Sequence, residues 1–108
     1  MPVIDLGSRS SLDFDRINAA AMPALPAMLS RWLPGGRVIG GEYVVRNPQR
    51  SDRKPGSFKI NIRTGRWADF ATNDRGGDPI SLAAFVFGLS QGEAARKLAT
   101  MLGVCDVR

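Results

Sequence analysis

The chain has no histidine and a single cysteine, Cys105, among 108 residues. Those two scarcities exclude serine–histidine and cysteine–histidine nucleophilic pairs, histidine-based metal sites, internal disulfides and cysteine-rich zinc sites. One lone thiol fits a reducing compartment. Long apolar runs are also missing. Nothing approaches the roughly 18 residues that a membrane-spanning helix needs, and Met1-Pro2-Val3-Ile4-Asp5-Leu6 lacks the basic and apolar regions of a secretion signal. A soluble, cytoplasmic protein without membrane contact is expected.

Acidic side chains are outnumbered, ten against fifteen basic, for a net charge of +5. The excess is local. Arg46, Arg50, Arg53, Lys54, Lys59, Arg63, Arg66 and Arg75 share the span 46–75 with only Asp52, Asp69 and Asp74. Eight positive charges against three negative make +5, so this third of the chain carries the whole net charge. A polyanionic partner is one reading of such a cluster, and a solvated sheet face is the other.

Local patterns predict an α+β domain over 11–108, after a flexible lead-in of residues 1–10. Ser11-Leu12-Asp13 offers N-cap residues for a helix from Asp13 to Ala21. Pro23 and Pro26 interrupt it, and a second helix is expected from Pro23 to Leu33, with Leu25, Met28, Leu29 and Trp32 as its apolar stripe. The sheet, about four strands over 37–72, begins with Val38-Ile39 and Tyr43-Val44-Val45 around Gly40-Gly41. Residues 47–56 are polar, contain two prolines and read as a loop.

Phe58-Lys59-Ile60-Asn61-Ile62-Arg63 alternates, which turns Phe58, Ile60 and Ile62 inward and Lys59, Asn61 and Arg63 outward. Thr64-Gly65 is expected as a two-residue turn into a strand from Arg66 to Ala71. It sets Ile62 opposite Trp67 and Arg63 opposite Arg66, a like-charge pair that an anion would relieve. Asp74-Arg75-Gly76-Gly77 reads as a turn. Asp78-Pro79 opens an apolar helix ending at Gly88. Ser90-Gln91-Gly92-Glu93 is a capping box for a last helix to about Leu102, with Ala94, Ala95, Leu98 and Met101 inward and Gly103 as its C-cap.

Chemistry-bearing groups are sparse. Asp69, Asp74 and Asp78 lie near one another in sequence, but helix-cap and turn roles account for Asp78 and Asp74. Gly76-Gly77 before a helix could receive a phosphate, although turns use such pairs constantly. No acid–base constellation is visible, so a small enzyme is poorly supported.

From Asn47 to Val104 the order of motifs resembles the zinc-ribbon domain of bacterial and phage DNA primases. Asn47-Pro48-Gln49-Arg50 stands where that family has Cys-Pro-x-His. Lys54-Pro55-Gly56-Ser57-Phe58 matches its Pro-Ser-Phe strand. Trp67-Ala68-Asp69-Phe70-Ala71-Thr72 stands at the aromatic followed by Cys-x-x-Cys. Gly76-Gly77-Asp78, Ile80-Ser81-Leu82 and Gly88-Leu89-Ser90 follow in order. The family's four zinc ligands would fall at Asn47, Arg50, Asp69 and Thr72, none of them Cys or His.

The resemblance therefore implies a metal-free ribbon without a cofactor, non-catalytic, engaging single-stranded DNA in a replication, phage or mobile-element context. It would be part of a primase or act beside a primase catalytic domain or a helicase. The outward hairpin face would be the binding surface. Lys59, Arg63 and Arg66 would meet phosphates, with Asn61 beside them. Phe70 and Trp67 are the aromatics in reach, although the two-residue turn points Trp67 inward and leaves Phe70 on the face of Lys59. Arg46, Arg53, Lys54 and Arg75 would widen the patch from the loops. The rival reading is a protein-interaction module that docks a helicase or polymerase without touching DNA.

Without zinc, a side-chain pair such as Arg50 with Asp69 would have to close the ribbon. Asp69→Ala is then expected to lower stability by about 1–3 kcal/mol. A melting curve unchanged by the substitution would reject that role for Asp69.

Overall fold

The structure is a computed structural model, and residues 12–45 and 58–107 are described. The lead-in 1–10 and the loop 47–56 lie outside them. The fold is α+β. Helix α1 (Phe14–Trp32) precedes five strands, β1 (Arg37–Ile39), β2 (Glu42–Val45), β3 (Phe58–Asn61), β4 (Trp67–Asp69) and β5 (Asp74–Gly76). Helices α2 (Pro79–Phe87) and α3 (Gln91–Leu102) complete it. The strands form one antiparallel meander in sequence order. Among the described residues no helix is long and apolar enough to cross a membrane.

Helix α1 is one helix where two are expected. Pro23 and Pro26 sit inside it, each removing an N–H bond at a cost of roughly 3 kcal/mol. Both prolines are exposed, while Ile17, Ala21, Leu25, Met28 and Leu29 form a buried stripe on the other side. Water can serve the carbonyls that the prolines leave without partners. The continuous stripe then outweighs the propensity of two residues. Asp13 caps the helix, its carboxylate accepting from Arg16 N–H at 3.0 Å.

The turns set the sheet. Gly40 and Gly41 have φ of +58° and +81°, as a two-residue type I′ turn requires, and Ile39 pairs with Glu42. The β3–β4 connection differs from expectation. It is a four-residue loop, 62–65, closed by Asn61 N–H donating to Arg66 C=O at 2.7 Å and Gly65 N–H donating to Asn61 C=O at 2.8 Å. The Asn61 side-chain oxygen accepts from Arg63 N–H and Thr64 N–H at 2.9 and 3.0 Å. Trp67 consequently pairs with Ile60, not Ile62. Ile62, in the loop, is only half-buried.

The β4–β5 connection is built the same way one hairpin later. Asp69 Oδ1 accepts from Ala71 N–H at 2.8 Å, Asn73 N–H donates to Asp69 C=O at 2.7 Å, and Asn73 takes the left-handed φ of +68°. Asp74–Gly76, expected as a turn, is therefore the fifth strand, and the turn falls at 70–73.

The helices cover one face of the sheet. Tyr43, Val45, Phe58, Ile60 and Trp67 meet Ile17, Leu25, Leu29, Ile80, Leu82 and Leu98 in a single core. Phe85 stacks on Trp67 at 4.8 Å and meets Phe58 edge-on at 5.8 Å. The helix signals at the C-terminal end appear as expected. Asp78 with Ser81 and Ser90 with Glu93 form capping boxes, and Gly88 and Gly103 are left-handed caps. The Ser90 backbone N–H holds the Glu93 carboxyl below its ordinary range. Met101 is not inward but 45% exposed, and Ala99 takes the buried place.

The sheet and α2 are locked by one polar contact. Trp67 Nε1–H donates to Ser81 Oγ at 2.9 Å, and the same hydroxyl donates to Asp78 C=O at 2.9 Å. Gly76 makes room for this contact. A Cβ there would lie 2.5 Å from Trp67 Nε1 and closer still to Ser81 Oγ. Gly76→Ala is expected to destabilise the fold by about 1–3 kcal/mol through overpacking and to red-shift Trp67 emission. Denaturant melts and fluorescence check both.

Candidate nucleic-acid interface

The uncovered face of the sheet presents a row that crosses every strand. Arg37 pairs with Val44, Val44 with Lys59, Lys59 with Ala68, and Ala68 with Arg75. Side chains alternate along a strand, so these five point the same way, opposite to Tyr43, Ile60 and Trp67. Strands about 4.8 Å apart put the three cations at roughly 10 Å intervals. Arg66 and Phe70 flank Ala68 on β4 and its continuation, and both are exposed, Phe70 by 71%. Lys59 Nζ lies 5.8 Å from the Phe70 ring centroid, within cation–π range.

Between these groups is an open depression of about 230 Å³, lined by Lys59, Arg66, Ala68 and Phe70 together with Glu42, Asn61 and Trp67. Glu42 is the one acidic group lining it among the described residues. Among the described residues the only ion pair is Arg16–Asp13, at the far end of the chain's first helix. Arg37, Lys59, Arg66 and Arg75 thus present their charge without an ion pair to any described carboxylate.

The expected site residues divide. Lys59, Arg66 and Phe70 come together on this face. Arg75 joins them from β5, not from a loop. Arg63 does not stand opposite Arg66. It lies in the 62–65 loop, and its guanidinium reaches the Gly41 turn, with Nη2 3.7 Å from where a Gly41 Cβ would be. The like-charge pairing that an anion would relieve is absent, because the loop is two residues longer than expected. Trp67 is no stacking platform. It is 6% exposed and spent on Phe85 and Ser81. Asn61 does face the depression, but its side-chain oxygen is committed to the loop, which leaves only its NH₂ group outward.

Arg46, Arg53 and Lys54 lie outside the described residues. Arg37 is the member of the row that sequence reading missed. It precedes the charge-rich span, and only the register through Gly40-Gly41 brings it into line with Lys59.

The four positions that correspond to zinc ligands can be followed in part. Asp69 is fully buried and makes the β4–β5 turn. Thr72 Oγ1 accepts from Asp74 N–H at 3.4 Å in that turn. Asn47 and Arg50 lie outside the described residues. The segment containing them departs from Val45 and returns at Phe58, and Phe58 is paired with Asp69. The described strand ends Val45 and Phe58 therefore lie beside the strand end that carries Asp69. Among the described residues no three His, Cys, Asp or Glu side chains gather as a metal site requires.

No family model, curated protein or solved structure matches the chain.

Proposed function

We propose that the chain is a non-catalytic module that binds single-stranded DNA across the open face of its sheet, a metal-free counterpart of the primase zinc ribbon serving replication of a phage or mobile element. The observation that carries this reading is the row Arg37–Lys59–Arg75 with Arg66 beside it, without an ion pair among the described residues and set around the exposed Phe70. Cations at regular intervals on a flat surface suit a phosphate backbone, and an exposed aromatic among them suits a stacked base. An unstacked single strand offers both features at once. A duplex hides its base faces and would leave Phe70 unused. The order of motifs from Asn47 to Val104 supports the primase-like setting. A primase catalytic domain or a helicase is the partner that such a module would work beside.

Titration with labelled single-stranded and duplex oligonucleotides at two salt concentrations tests the proposal. The single strand should bind more tightly, with affinity falling as salt rises. Lys59→Ala, Arg66→Ala and Arg75→Ala should each take about 0.7 from the log–log salt slope. Phe70→Ala should weaken binding by roughly 1–3 kcal/mol with the slope unchanged. Binding that ignores all four substitutions, or no saturable binding to either nucleic acid, refutes the assignment.

A further inference from the structure

The helices carry a second surface that the proposed function does not use. An open apolar cavity of about 290 Å³ lies among Trp32, Phe87, Leu89, Leu98 and Met101, and no strand residue lines it. Two neighbouring depressions share Met101 with it, one along α1 and one along α3, so the three adjoin one another around that side chain as a groove in the helical surface. Its floor is anomalously exposed for such side chains: Phe87 is 50% and Met101 45% accessible. Trp32 holds Phe87 in place by an edge contact at 5.2 Å.

Among the described residues every charged side chain that lines the groove is positive: Arg31 on α1, and Arg96 and Lys97 on α3. The nearest acid in sequence, Glu93, is one helical turn before Lys97; its carboxylate accepts from Ser90 N–H at 3.0 Å and is further favoured by the charges of Lys97 and Arg96, so it offsets part of the rim.

We propose that this groove docks an acidic amphipathic helix of a partner protein. Aromatic and methionine side chains are the commonest anchors of helix-in-groove recognition, and Met adapts to irregular apolar knobs. The one-signed rim selects a partner whose apolar stripe is flanked by Asp and Glu. It also argues against a second copy of this chain, because a two-fold contact through the groove would set the same cations against one another. A nucleic acid is disfavoured by the floor, which offers it apolar side chains and few hydrogen-bonding groups. The module would then have two working faces, cationic and open on the sheet, apolar and cation-rimmed on the helices.

The test is selection from a displayed library of randomised helical peptides against the full chain. Selected peptides should carry apolar residues three and four apart with flanking Asp or Glu. Phe87→Ser and Lys97→Glu should each weaken them on the order of tenfold while leaving single-stranded DNA binding unchanged. Phe87 is half-exposed at a helix end, and Lys97 is exposed, so melting curves should confirm the fold. If Phe87→Ser unfolds, Lys97→Glu carries the test alone. Failure to select any peptide, or selection of basic or neutral ones, overturns the proposal. So does peptide binding that is indifferent to Phe87 and Lys97, or DNA binding lost with them. Two further outcomes would assign the groove to another occupant: a dimer in solution abolished by Phe87→Ser, or peptide binding that appears only once residues 1–11 are removed.

Discussion

The position of the β3–β4 loop decides what each face of the sheet can do. Asn61 closes that loop with its own side chain, accepting two backbone N–H groups, and thereby fixes Ile60 against Trp67. Side chains alternate with period two, so a slip by a single residue would exchange the faces. Trp67 would move to solvent and lose Phe85 and Ser81. Ala68 would move into the core and Lys59 would lose its place in the cationic row. One amide group therefore separates the apolar interior from the charged exterior. Asp69 repeats the device in the next hairpin, where its carboxylate closes the turn that starts β5. Without that turn Arg75 would not lie in line with Lys59.

Much of this was legible from residue types. The capping boxes at Asp78 and Ser90, the left-handed glycines and the inward Phe58 and Ile60 follow from local rules that involve few residues and short distances. The misreadings share a cause. Each required a sum over the fold. Two prolines look like a helix break until the stripe from Ile17 to Leu29 is weighed against them. Thr64-Gly65 looks like a two-residue turn until Asn61 is seen to cap a longer loop and Gly65 is packed against Pro79 and Met22. Asp74-Arg75-Gly76 has the composition of a turn, yet it becomes a strand because Gly76 is the residue small enough to lie over Trp67. Alternation carried as far as Arg63 likewise runs past the end of β3 at Asn61, and a charge count that starts at Arg46 leaves out Arg37.

The candidate site was legible as a charge density and not as a geometry. Counting cations over 46–75 locates the positive third of the chain but cannot tell a face from a loop. The pairing does so: it keeps Lys59, Arg66 and Arg75, adds Arg37 from β1 and sends Arg63 to the end of the sheet. Trp67 shows the same limit from the other side. A tryptophan amid arginines has the composition of a stacking platform, but burying its large ring stabilises the core more than an exposed position would. Phe70, with no interior place available to it, is the aromatic that remains outside.

A metal-free ribbon of the kind proposed must hold its turns without a cation, and the described residues contain part of an answer. In a zinc site the second pair of ligands fixes a turn by converging on the metal. Here the turn at 70–73 is fixed from within. Asp69 bonds to Ala71 N–H, Asn73 bonds back to the Asp69 carbonyl, and Thr72 accepts from Asp74 N–H. A carboxylate is a better acceptor for such backbone donors than a neutral side chain, and its burial makes each bond matter more. Backbone geometry that a metal would impose from outside is thus available from the residue at the ligand position itself.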